Sequence, residues 1–138
     1  MSYAAKYNSK FYGPFRDAVN SKNNLGTSDK SSYQMNPANS LEALNEVAMD
    51  IEEGADIVMV KPGMPYLDVI NKLSLNLSAP IFAYQVSGEY AMLQQAIDKK
   101  IFEHNVIPEA LISLFRAGSS SVITYYAKWV AENYDNIS

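Results

Sequence analysis

Apolar positions along this 138-residue chain follow two different rhythms. Residues 2–7, 56–60, 81–86 and 121–126 are short, nearly continuous apolar runs, as expected of strands covered on both faces. Between them apolar residues return with helical spacing. Leu41, Leu44, Val47, Ala48 and Ile51 mark a helix over about 40–53, and Leu67, Ile70 and Leu73 mark another over 65–75. Further helices are predicted at about 89–99, 108–117 and 127–135, the last with Trp129 and Val130 facing inward. The punctuation agrees. Asn39 followed by Glu42 resembles a capping box, Gly54 and Gly118 stop helices, Pro62-Gly63 turns the chain, and Pro80 opens the third strand. Glu53-Gly54-Ala55-Asp56 before one strand and Ala117-Gly118-Ser119-Ser120 before another form a faint internal repeat.

The order is strand, helix, four times over, with an extra helix in the third unit. Repeating βα units imply an α/β fold with a parallel sheet and right-handed crossovers. Four units are half of a TIM (β/α)8 barrel, which typically needs about 250 residues. Because residue 2 already lies in a strand, the chain is expected to be part of a longer protein. Residues 13–39 break the rhythm. They are rich in Ser, Asn, Lys and Gly, and a connection this long reads as an active-site lid.

Composition narrows the partners. A net charge of −4 without a basic run argues against nucleic acid. No apolar stretch reaches the length of a membrane span, and the N-terminus lacks signal-peptide character. The absence of cysteine removes disulfides and thiolate metal sites and is compatible with a reducing cytoplasm.

In βα folds the chemistry gathers at the carboxyl ends of the strands. Here those ends carry Lys6, Lys61, Ser87 (after Gln85-Val86) and Tyr125. A lysine closing an apolar run loses hydration of its charge, its pKa falls, and the free amine can attack a ketone. The same placement also fits a lysine merely snorkelling from a strand end. Ser87 suits a carboxylate donor or a helix N-cap, and Tyr125 and Tyr126 suit donors or core aromatics. Arg16, Lys22 and Lys30 supply cations to the lid or are simply solvated. Glu46 lies mid-helix, on a face that reads as solvated. His104 sits in a polar connection without a role, and Met49, Met59, Met64 and Met92 read as core fillers. Such a site suits a small substrate bearing a ketone and a carboxylate.

Four stretches carry a resemblance. Phe11-Tyr12-Gly13-Pro14-Phe15-Arg16-Asp17-Ala18, Tyr33-Gln34-Met35-Asn36-Pro37, Met59-Val60-Lys61-Pro62 and Ala83-Tyr84-Gln85-Val86-Ser87-Gly88-Glu89-Tyr90-Ala91-Met92 together resemble the porphobilinogen synthase (delta-aminolevulinic acid dehydratase) family, in matching order along the chain. The resemblance implies a TIM barrel that condenses two molecules of 5-aminolevulinate to porphobilinogen with loss of two waters, in tetrapyrrole and heme synthesis. It implies that Lys61 forms the imine with the substrate giving the propionate side and that Lys6 holds the substrate giving the acetate side. Arg16, Lys30 and Gln34 would be lid or carboxylate contacts, Ser87 and Tyr125 would bind the other carboxylate, and Tyr84 would stand beside the imine. Glu46 matches a carboxylate that binds an allosteric magnesium near a subunit interface in some members. Lys30 departs from the arginine often found there, and so loses the bidentate fork.

Family chains are more than twice this long. The resemblance therefore implies that the first half of the barrel lies elsewhere, with the active-site zinc or magnesium segment and the N-terminal arm used to build an octamer. The isolated chain is expected to be inactive or nearly so, and its open sheet edges to favour self-association. Two rivals remain open at this point: another Schiff-base enzyme of the aldolase type, and a non-catalytic half-barrel that serves assembly or regulation.

Overall fold

The computed structural model describes residues 1–18 and 34–134. Its frame is one parallel sheet of four strands in chain order: β1 Ser2–Lys6, β2 Val58–Lys61, β3 Ile81–Tyr84 and β4 Ser121–Ile123. Register explains what each strand presents. Val58 pairs with Ile81 and Val60 with Ala83, and all four are buried on the face that meets the helices. The alternate positions, Met59 opposite Phe82 and Tyr84 opposite Ile123, belong to the other face. An irregularity between Ser2 and Ala5 restores phase so that Lys6 pairs directly with Lys61.

The helices are α1 Gly13–Ala18, α2 Leu41–Glu52, α3 Leu67–Asn76, α4 Ser87–Asp98, α5 Val106–Ala117 and α6 Ala127–Asn133. Ala43 and Val47 of α2, Val69, Ile70 and Leu73 of α3, and Leu114 of α5 close over the sheet and form its main core. Tyr7 and Tyr66 stack within it, with ring centres 4.0 Å apart. A second cluster joins Leu93 and Ile97 of α4 to Ile107, Ala110 and Leu111 of α5 and to Tyr126, with Trp129 and Val130 against it. The expected cap of α2 is present in altered form. Asn39 Oδ1 accepts from the backbone N–H groups of Leu41 and Glu42, while the Asn39 amide donates to the Glu42 carboxylate at 3.0 Å. Gly54 and Gly118 both take positive φ after a helix, so the faint sequence repeat is a repeated helix-end device.

Several boundaries move for identifiable reasons. Strand β4 ends at Ile123 rather than 126, because the Thr124 hydroxyl accepts from the Tyr126 N–H and turns the chain. Helix α4 begins at Ser87, two residues early, and α5 begins at Val106, with Pro108 accommodated in its first turn. The start of the expected 13–39 lid is not open chain. Lys10–Tyr12 form a 3-10 turn that runs into α1, and α1 packs on α4. Residues 19–33 of that segment lie outside the described residues. Met59 is fully buried, but Met49 and Met92 are exposed and fill no core, being on the outer faces of α2 and α4.

Gly88 is where α4 meets the 3-10 turn. A Cβ there would stand 2.3 Å from the Phe11 carbonyl oxygen and 2.8 Å from its Cα. Backbone cannot yield as a side chain can. Gly88→Ala is expected to lower the unfolding free energy by about 1–3 kcal/mol, the usual range for overpacking, read by urea titration.

Candidate active site

Lys61 ends β2 and Lys6 ends β1, and as register partners in a parallel pair they emerge side by side. Lys61 reaches into a cluster of rings. Its Nζ lies 4.1 Å from the centre of the Tyr84 ring, 5.3 Å from that of Tyr3 and 5.7 Å from that of Tyr12. Ring faces attract the ammonium form. Against them stand burial, the larger effect, and the positive charge of Lys6, and the net result is a Lys61 pKa below the ordinary lysine value. Burial and a like charge thus weaken the ammonium form, while the ring faces attract a positive charge at the same place.

Lys61, Tyr84, Ser87 and Tyr125, each expected from the sequence, line one pocket together with Tyr12, Phe15 and Val86. Burial is the main cause that raises the Tyr84 hydroxyl pKa, with the neighbouring Tyr125 adding to it, so the Tyr84 hydroxyl stays protonated and able to donate. Ser87 does not cap α4; it is the first helical residue, after Val86. Its Oγ accepts from the Phe15 N–H at 3.1 Å, which pins α1 over the pocket and leaves the hydroxyl proton to donate elsewhere. Arg16 on α1 lies 5.3 Å from the centre of the Tyr12 ring and does not line that pocket.

Lys6 and Gln34 line an adjoining cleft along β1, with Ser2, Tyr3, Met35 and the α2 carboxylates Glu42, Glu46 and Asp50. Tyr3 thus lines the Lys6 cleft while its ring stands 5.3 Å from the Lys61 Nζ. Glu46 is exposed, Asp50 accepts from the Ser2 hydroxyl, and Glu42 from Asn39. Among the described residues no three His, Cys, Asp or Glu groups come together as metal ligands. The residues present therefore do not fit a magnesium site formed by this chain's α2 alone. Lys30 lies outside the described residues. His104 stacks on Trp129, far along the chain from these groups and with no part in the pocket.

Tyr3, Tyr12, Phe15 and Glu89 were not singled out from the sequence. The Tyr12 hydroxyl lies 3.0 Å from both the Tyr7 and the Lys61 carbonyl oxygens, so it joins the two lysine-bearing strand ends, and burial raises its pKa so that it stays a donor. Glu89, in the first turn of α4, is fully buried. Its carboxylate accepts from the N–H groups of Val86, Met64 and Gly63. Burial nevertheless outweighs these bonds and raises its pKa to about 7. The one advance signal was an acid three residues after Val86, the first-turn place that reaches back to the preceding N–H.

A parallel βα sheet with a desolvated lysine under tyrosine rings at its carboxyl edge defines a protein of the barrel type. The chain belongs to the delta-aminolevulinic acid dehydratase family, whose sequence profile matches residues 1–133. It is 56% identical over 133 residues to the delta-aminolevulinic acid dehydratase of Rhodobacter capsulatus, covering 96% of this chain and 40% of that one. It is 54% identical over 132 residues to that of Methanothermus sociabilis, covering 96% and 41%. The crystal structure of the Toxoplasma gondii enzyme in complex with the reaction product porphobilinogen superposes with a TM-score of 0.88 at 49% identity, over 96% of this chain and 39% of that one. The chain thus spans about two fifths of the length of these relatives.

Two outcomes follow from the charges. Lys6→Met is expected to raise the Lys61 pKa toward the ordinary value and Lys6→Arg to leave it low, read by the pH dependence of reductive methylation at Lys61. For Glu89, an acid with a raised folded pKa, the neutral form stabilises the fold. That contribution is complete below pH 4.5 and is lost as pH rises to about 7. Relative to Glu89→Gln, whose amide cannot ionise, the chain should therefore lose about 3 kcal/mol across that window, at ~1.4 kcal/mol per pH unit, in urea titrations.

Proposed function

We propose that this chain carries the lysine machinery of a porphobilinogen synthase, acting on 5-aminolevulinate. The observation that carries the reading is the Lys61 amine, its pKa lowered by burial and by Lys6, standing 4.1 Å from the Tyr84 ring centre. Family membership and the product named with the Toxoplasma gondii structure support it.

In this reading the neutral Lys61 Nζ adds to the ketone carbon of 5-aminolevulinate, and the nitrogen proton passes to the oxygen. The resulting hydroxyl leaves as water, with a proton from the Tyr84 hydroxyl, and an iminium remains. The rings of Tyr84, Tyr3 and Tyr12 then face a fixed positive charge, which they stabilise more than the uncharged amine. Lys6 holds the second substrate molecule from the neighbouring strand end. Arg16, Lys30 and Gln34 contact substrate carboxylate from the lid side, and Ser87 and Tyr125 bind the other carboxylate. Lys61 is assigned the propionate side and Lys6 the acetate side. A magnesium at Glu46 belongs to this reading only as a contact completed by ligands from beyond the described residues, and no step depends on it. Assembly into a homo-oligomer and a cytoplasmic location are part of the same proposal.

Borohydride trapping with 5-aminolevulinate, followed by peptide mapping, tests it. The adduct is expected on Lys61 and should vanish in Lys61→Met. Equal labelling by pyruvate would instead favour an aldolase-type enzyme. A folded chain with no adduct on either lysine would assign the chemistry to a site completed by further residues of the relatives' longer chain.

A further inference from the structure

We infer that Glu89 is a positioning residue for Lys61: its buried carboxylate ties the turn that follows Lys61 to the turn that opens α4, and so sets where the amine stands among the tyrosine rings. The inference rests on the imine reading of Lys61.

Glu89 lines neither the tyrosine pocket nor the Lys6 cleft, so it does not meet substrate. Its Oε2 accepts from Gly63 N–H at 3.3 Å and from Val86 N–H at 2.6 Å, and its Oε1 from Met64 N–H at 2.5 Å. Gly63 follows Lys61 by two residues; Val86 lies between Tyr84 and Ser87. One side chain therefore holds backbone from both walls of the pocket. Helix capping alone does not account for this. A first-turn acid that only serves its own helix can sit in water, where its charge is cheap, whereas Glu89 is 0% exposed and bonded to amides of a different βα unit. Only an ionised carboxylate offers acceptors on both oxygens with no proton in the way. Burial makes that ionised form costly, so the fold keeps a group that holds position at the expense of stability.

Glu89→Gln preserves shape but turns an N–H₂ toward at least one of the three donors. The test is borohydride trapping by 5-aminolevulinate in the full chain, with the trapping rate measured against substrate concentration. The maximal rate at Lys61 is expected to fall about ten- to a hundredfold, as for a reacting group displaced by a fraction of an ångström to one ångström, with the half-saturating concentration nearly unchanged. A merely destabilised chain would lose amplitude rather than show this split. An unchanged maximal rate overturns the inference. If the unaltered chain forms no adduct, the functional reading fails first, and the clamp is judged by formaldehyde reductive methylation of Lys61 relative to exposed Lys128. A changed ratio in Glu89→Gln supports it, and an unchanged ratio overturns it. If Glu89→Gln does not fold, hydrogen exchange of the unaltered chain decides. Gly63, Met64 and Val86 amides exchanging together and slowly support a shared acceptor; Met64 exchanging at loop rates overturns it.

Discussion

Strand β2 has both faces and both edges occupied, and that constraint organises everything around it. Val58, Met59 and Val60 are wholly buried, with β1 on one side and β3 on the other. A strand so enclosed has one register. A slip by a single residue would drive Lys61 into the helix-covered core and bring Val60 out among the tyrosines. The place of the lysine is thus decided by valine packing, several residues away from any chemistry. Register then carries the order outward: Lys6 arrives beside Lys61, and Tyr84 one position past the Val60–Ala83 pair.

Around that amine the electrostatics balance two demands. In the proposed reading, a nucleophile must spend time uncharged, and an iminium must be welcome once formed. Burial and a like charge serve the first demand, and ring faces serve the second. A carboxylate in contact with Lys61 would have met only the second, because it would hold the amine as ammonium. The acidic side chains nearby are placed accordingly. Glu42, Glu46 and Asp50 line the cleft of Lys6, while Glu89 spends its charge on backbone amides.

The strand order and both lysines could be read from the chain because buried parallel strands write themselves as apolar runs, and what closes a run stands at the active edge. Ser87 and Tyr125 were found the same way, whereas the place of Tyr84 came from the family resemblance. Arg16 was legible as a lid cation, but its helix, taken for lid, is ordered by contact with α4 that no local pattern encodes. Tyr12 and Tyr3 were missed for a related reason. Tyr12 reaches the site from a 3-10 turn whose position depends on the absence of a side chain at Gly88, and Tyr3 reaches it because β1 gains an extra residue relative to β2. Glu89 carries in its sequence neighbourhood nothing beyond a first-turn acid; its burial is a property of two βα units meeting.

Tyr12 has one hydroxyl proton and two carbonyl oxygens, each 3.0 Å away, one at the end of each lysine strand. Equal distances mean that the phenol is centred between the strands. Any shear of one strand past the other would lengthen one contact and shorten the other, so the proton would settle on a single carbonyl. The ring thereby works as a vernier: it resists sliding in either direction from the aligned position, and it ties the spacing of the two amines to the alignment of their main chains.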